Sequence, residues 1–205
     1  MKKLAIHRFL SLLPIIILIS ISNDDKGQEK NLVRIETLKS NNGYNALDIS
    51  FQVKSDLESF TKILCDVEHY SDWVYKCMKS EIIAQTTENN TSYKSYIDFP
   101  FPLNDRIYAV NSIQYMDKNN NFISESKSIM DKIDPEGFVP INYFVSKWVV
   151  TPSDDGWLKI KYYVSAEPGG AIPAFLYNIA LKKGPSKTIE NFIDRIETLY
   201  SSRLK

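Results

Sequence analysis

Apolar and polar residues alternate through most of the chain, and the alternation stops abruptly near its C-terminus. Residues 32–38 alternate, and so do 46–54, where Leu47, Ile49, Phe51 and Val53 share one face. A period of two sends successive side chains to opposite faces, so both stretches predict half-buried strands. Six more stretches rich in Ile, Val, Tyr and Phe follow, at 78–87, 91–99, 106–116, 121–130, 142–151 and 157–166. Turn formers separate several of them: Asn41-Asn42-Gly43, Glu88-Asn89-Asn90, Lys118-Asn119-Asn120 and Ser153-Asp154-Asp155-Gly156. Strands joined by such short turns predict an antiparallel meander rather than βαβ units.

Two segments change period. After the second strand, Ser55 is positioned as a helix N-cap with Glu58 as its reciprocal partner, ahead of Leu57, Phe60, Ile63 and Leu64 on one face. Residues 69–74 read as a second short helix or turn. Near the C-terminus, Ile189, Phe192, Ile193, Ile196, Leu199 and Tyr200 recur at steps of three and four, which makes one apolar helix face. Residues 174–181 are apolar almost all round. Gly184-Pro185 lies between these stretches, and a proline inside a helix removes a donor, so one bent helix or two helices stay open. The terminal helix is the only element large enough to cover one face of the meander. The expected class is α+β: a curved antiparallel β-sheet wrapped round a long C-terminal α-helix, with two short helices after the second strand.

The first residues have a different character. Lys2, Lys3, His7 and Arg8 precede an apolar run over 9–21, which is too short to span a hydrocarbon core of about 30 Å as a helix. Residues 1–22 are expected to be a signal peptide and 23–30 a flexible polar leader. Residues 31–205 are then one exported domain, periplasmic or secreted. The alternative is an uncleaved N-terminal segment that anchors the protein to a membrane. Export would allow Cys65 and Cys77 to pair, and two free thiols are the other reading.

Composition narrows the chemistry. Lys+Arg and Asp+Glu are both 25, so no net charge draws the protein to nucleic acid. Twelve Tyr, ten Phe and three Trp suit a β-rich fold or a cavity lined with rings. Two His and two Cys at these spacings match no common zinc pattern, and no metal or other cofactor is expected. Glycine-rich phosphate loops and nucleophile motifs are absent from the sequence. No catalytic residue is assigned, and His69, among Asp66, Glu68 and Asp72, reads as a surface histidine.

Three stretches carry a resemblance. Tyr96-Ile97-Asp98-Phe99-Pro100-Phe101-Pro102-Leu103-Asn104-Asp105-Arg106 resembles the "D-x-P-W-P-x-x-x-R-D" stretch of the START (StAR-related lipid-transfer) domain family. Glu167-Pro168-Gly169-Gly170-Ala171-Ile172-Pro173-Ala174-Phe175-Leu176-Tyr177-Asn178 resembles that family's approach to its last helix, and residues 66–73 resemble its step from helix to sheet. One position departs: Ile107 stands where the family usually places an acid after the arginine.

The resemblance implies a helix-grip fold, with a hydrophobic molecule held between sheet and helix. The partner is then a lipid or sterol-like small molecule, bound and in one version transferred by a monomer with transient membrane contact. The expected ligand-binding residues are Arg106, Tyr108, Asp98, Phe99, Phe101, Trp148, Tyr162, Phe175 and Ile179. Arg106 would meet a polar headgroup or else pair with Asp98 or Glu125. Gly169, Gly170, Pro173, Gly184 and Pro185 are the expected hinge points of a helical lid. Two other classes stay open. One is an enzyme like the polyketide cyclases and aromatases of similar architecture; the other is a ligand-gated or protein-binding module.

Overall fold

The computed structural model describes residues 16–20, 32–39, 45–135, 137–170, 172 and 174–203, with the backbone alone at 16–20, 32 and 174–182. The described residues form ten strands: β1 (Ile16–Ser20), β2 (Leu32–Lys39), β3 (Asn45–Lys54), β4 (Cys77–Thr87), β5 (Asn90–Ile97), β6 (Arg106–Met116), β7 (Phe122–Ser128), β8 (Val139–Pro140), β9 (Tyr143–Pro152) and β10 (Trp157–Glu167). The helices are α1 (Leu57–Leu64) and α2 (Ala174–Arg203), with short 3-10 turns at Val67–Asp72 and Met130–Lys132.

The alternating stretches become strands within a few residues of their expected ends, and they form the predicted meander. One sheet has the order β1-β2-β3-β10-β9-β7-β6-β5-β4. Every pairing along that order is antiparallel, and β8 adds a two-residue parallel contact to β6. The turn chemistry holds where it is described. Asp117 accepts from the backbone N–H of Asn119 and Asn121 at 2.8 and 2.9 Å, and Asn120 takes a positive φ of 59° between β6 and β7.

One expectation needs correction, and two questions that the sequence leaves open are answered. The cap of α1 is Asp56 rather than Ser55: its Oδ1 accepts from the Ser59 N–H at 2.6 Å, while Ser55 is buried before the helix. Glu58, freed from a capping box, pairs with Arg203 at 2.9 Å. Of the two questions, the first is the bend: α2 is one helix that continues through Pro185. The missing proline N–H leaves one carbonyl a turn earlier without its helical donor, and the ladder resumes on either side. As to the second, Cys65 and Cys77 are free thiols. Cys77 turns to Ser80 at 3.4 Å, and Cys65 stands exposed at the end of α1.

Residues 16–20 of the predicted signal segment form β1, at the sheet edge beside β2. The rest of that segment, the 23–30 leader, the 41–43 turn and Pro173 lie outside the described residues. Among the described residues no helix is long and apolar enough to cross a membrane.

A concave sheet face and its hydroxyl track

The strands present their apolar alternates to one face, and α2 lies against it. Ile189, Phe192, Ile193 and Ile196 are buried there, on the stripe that the three- and four-residue steps predict. Phe192 sits at the centre. Its ring lies 5.1 Å from Phe60, 4.6 Å from Trp73 and 5.4 Å from Trp148, so α1, the 3-10 turn and β9 meet on one side chain. Polar contacts hold this half of α2 from outside: Asn191 to the Trp73 carbonyl, Arg195 to Asp72, and Arg203 to Glu58 and Ser59.

Nearer the start of α2 the face is less sealed. Ile97, Phe144, Tyr162, Val164 and Ala166 pack on the core but remain partly exposed. Tyr162 stacks on Trp148 at 3.9 Å, and Phe144 stacks on Tyr108 at 4.9 Å. Burial raises the Tyr162 phenol above its ordinary pKa, with nearby Tyr108 adding to the shift. Tyr162 is thus packed on the core while part of its surface stays accessible.

The concave face is not uniformly apolar. On β7 the inward positions are Phe122, Ser124, Ser126 and Ser128, while Glu125 and Lys127 point out. Ser126 donates to Ser112 on β6 at 3.0 Å, and the Gln114 amide reaches Ser112 at 2.8 Å and Ser124 at 3.4 Å. Tyr93 stands beside this chain, its ring 5.5 Å from that of Tyr70, and Tyr70 donates to the Leu64 carbonyl at 2.7 Å. A second chain runs from Ser95, the cross-strand partner of Tyr108, to Ser80 at 2.8 Å and on to Cys77. Burial holds the phenols of Tyr70, Tyr93 and Tyr108 neutral well above their usual range.

Arg106 opens β6 and is 2% exposed. Its Nε donates to the Pro168 carbonyl at 3.0 Å, one terminal nitrogen to the Gly169 carbonyl at 3.1 Å, and the other to the Asn104 carbonyl. The guanidinium lies over the Phe99 ring, 4.4 Å from its centre. Burial lowers its pKa, and Asp105 opposes that shift. The expected pairing with Asp98 or Glu125 is not made. Asp98 pairs with Lys76 and Glu125 with Lys147, because both acids point to the outer face. Backbone carbonyls take the place of an acid. That accounts for Ile107 at the departing position: this arginine is satisfied without the following carboxylate.

The clamp ties β6 to the turn before α2. Gly169 and Gly170 have φ of 68° and 63°, and a Cβ on Gly169 would meet the Pro140 carbonyl at 2.4 Å. Only glycine fits so close an approach to β8 in that conformation. Gly184 lies within α2 beside Tyr75, and Pro185 follows it.

Among the expected ligand residues, Tyr108, Trp148 and Tyr162 come together on the concave face, and Phe99 covers Arg106. Phe101 is 95% exposed and Asp98 forms a surface ion pair, so neither lines the recess. Their loop, at 98–105, leaves the sheet before β6 begins, so the alternation that would turn them inward does not extend to them. Phe175 and Ile179 lie on the first turns of α2, with side chains outside the described residues. His69 is a surface residue bonded to Asp66 at 2.8 Å, and that carboxylate raises its pKa. Sequence reasoning missed the hydroxyl chains, Phe144 and Val164. The signal was present in β7, where serines alternate with charged residues and so must occupy the inward positions.

Comparison with known proteins gives one consistent answer for the fold. A family profile for the START domain matches residues 19–199. An uncharacterized protein of Pseudomonas aeruginosa is 24% identical over 171 residues, covering 83% of this chain and 82% of that one. The crystal structure of a STAR-related lipid transfer protein (fragment 25–204) from Xanthomonas axonopodis superposes with a TM-score of 0.71 at 18% identity, covering 89% of this chain and 98% of that chain. The aromatase/cyclase Zhui from a Streptomyces species is similar more distantly, with a TM-score of 0.52 at 11% identity, covering 78% of this chain and 95% of that chain.

Proposed function

The chain belongs to the START domain family, and from that premise we propose that it binds a hydrophobic, lipid-like molecule between the concave sheet face and α2. One observation carries the reading. Aromatic and aliphatic side chains on that face, with Tyr162 and Phe144 foremost, are surrounded by the core yet keep accessible surface. Apolar surface of this kind gains about 25 cal/mol per Å² when a ligand removes it from water. Native mass spectrometry of the purified protein, followed by solvent extraction, tests the idea. Bound apolar mass that extraction removes is the expected result. A protein that carries none, and takes up no lipid probe from vesicles, overturns it.

A carrier fits these residues better than a cyclase. The concave hydrogen-bonders among the described residues are serines, glutamine and tyrosines, and burial moves the tyrosines away from the range a general acid–base group needs near neutral pH. The carrier acts as a monomer that touches membranes transiently; sedimentation as a dimer or no flotation with vesicles would count against this.

Access is assigned to α2. The Arg106 clamp restrains the turn before it and polar contacts clasp its second half, so the movement falls between Gly170 and Pro185. A disulfide from the first turns of α2 to a neighbouring loop should slow ligand exchange reversibly. Unchanged rates would move the entrance to residues 133–140. The protein is also proposed to be exported, with its mature N-terminus at 20–30, which would remove β1 and leave β2 as the sheet edge. An N-terminus at Met1 in the cell envelope would instead indicate the uncleaved anchor.

A further inference from the structure

The strands that build the concave face sort their charges with one exception. Their charged side chains occupy the outward alternates, and Arg106 alone is buried. Arg106 gives three of its five N–H donors to backbone carbonyls. The inward polar groups that remain among the described residues of β3, β5, β6, β7, β9 and β10 are neutral: hydroxyls and the amides of Asn45 and Gln114.

Two of those hydroxyls, on Ser146 and Tyr162, have no hydrogen-bond partner among the described residues. Both side chains keep accessible surface, Ser146 a little and Tyr162 more. Ser146 is 8% exposed and directly opposes Ser126 across the β7–β9 pair. Tyr162 lies diagonally from it on the same face, since Val164 is the direct partner of Ser146 and Trp148 that of Tyr162. Diagonal neighbours of this kind are about 7–8 Å apart at the backbone, within reach of one small polar group.

We propose that the bound lipid carries an uncharged hydrogen-bonding group, a hydroxyl or a carbonyl, that docks on Ser146 and Tyr162 beside the Ser126–Ser112 chain. This rests on the lipid-binding reading above. A hydroxyl or carbonyl there completes the open bonds of both side chains. A phosphate or carboxylate would leave water beside neutral groups, with Arg106 six residues along β6 from the Ser112–Ser126–Ser146 row, which strongly disfavours the ionised form. The site therefore selects neutral amphiphiles and rejects ionised ones of equal chain length.

The test uses the full protein and three fluorescent NBD-labelled chains of equal length, ending in a primary alcohol, a methyl group or a carboxylate. At neutral pH the alcohol should bind tightest, by about tenfold or more over the carboxylate, a difference of about 1.4 kcal/mol. Ser146→Ala combined with Tyr162→Phe should erase the advantage of the alcohol over the methyl probe. Circular dichroism confirms the fold, and Tyr162→Phe alone, which deletes one oxygen, should erase part of that advantage if the pair proves unstable. A carboxylate that binds as tightly as the alcohol overturns the proposal, as does an alcohol preference that survives both variants. Failure of all three probes overturns the lipid-binding reading itself, because the methyl probe needs only an apolar recess.

Discussion

The two sides of the concave face are built differently. Along β3 and the first half of β10 the buried inward residues are Leu47, Ile49, Phe51, Val53, Leu158 and Ile160, all hydrocarbon or ring, before β10 reaches the partly exposed Tyr162. Along β5, β6 and β7 the same positions hold Ser95, Ser112, Ser124 and Ser126 among Tyr93, Tyr108 and Val110. The aliphatic side can stabilise only by excluding water, so any gap in it is costly. The hydroxyl side gains little net energy from its bonds, because water would make them equally well in the unfolded chain. What it adds is direction. A hydroxyl accepts a partner from a limited set of angles, whereas a methyl group accepts any apolar neighbour.

This contrast can be broken at its strongest point first. Phe192→Ala removes the ring on which α1, the 3-10 turn and β9 converge, and should destabilise the protein by about 3–5 kcal/mol in chemical denaturation. A loss below about 1 kcal/mol would mean that the grip on α2 does not depend on this cluster. Arg106→Leu comes next. It strands three carbonyls and should cost about 3 kcal/mol. Neutral-probe affinity should be unchanged in the fraction that remains folded. A selective loss of affinity with stability intact would return the arginine to the ligand. The smallest effect belongs to the hydroxyl side. Ser112→Ala together with Ser126→Ala deletes both ends of one bond, while Gln114 keeps Ser124. Stability should change by less than about 1 kcal/mol, and a drop of several kcal/mol would show that the track supports the fold.

The sequence made the fold legible because alternation and helical steps are local signals. β6 starts and ends at the positions its pattern predicts, and the buried stripe of α2 follows its spacing. The site was less legible, because its decisive contacts join distant segments. Nothing near Arg106 in the chain announces that the carbonyls of Pro168 and Gly169 will be its acceptors. Phe101 looked like a pocket ring by its apolar character, but it sits at a loop tip where neither face of the sheet claims it. Ser55 lost the cap to its neighbour because Asp56 points its carboxylate at the first turn of α1, which the N-terminal end of the helix dipole favours.

The pairing of β10 with β3 sets the order in which the molecule can be assembled. β3 is made early, and its second edge waits for a partner about a hundred residues later. Until β10 arrives, the hairpin of β2 and β3 carries an apolar face and an open row of backbone groups. Local closure is fast, but distant pairing of this kind belongs to the slow end of folding rates. A chain truncated before Trp157 should therefore accumulate as a sticky intermediate whose open β3 edge recruits other chains. The final strand both completes the sheet and ends that vulnerable interval.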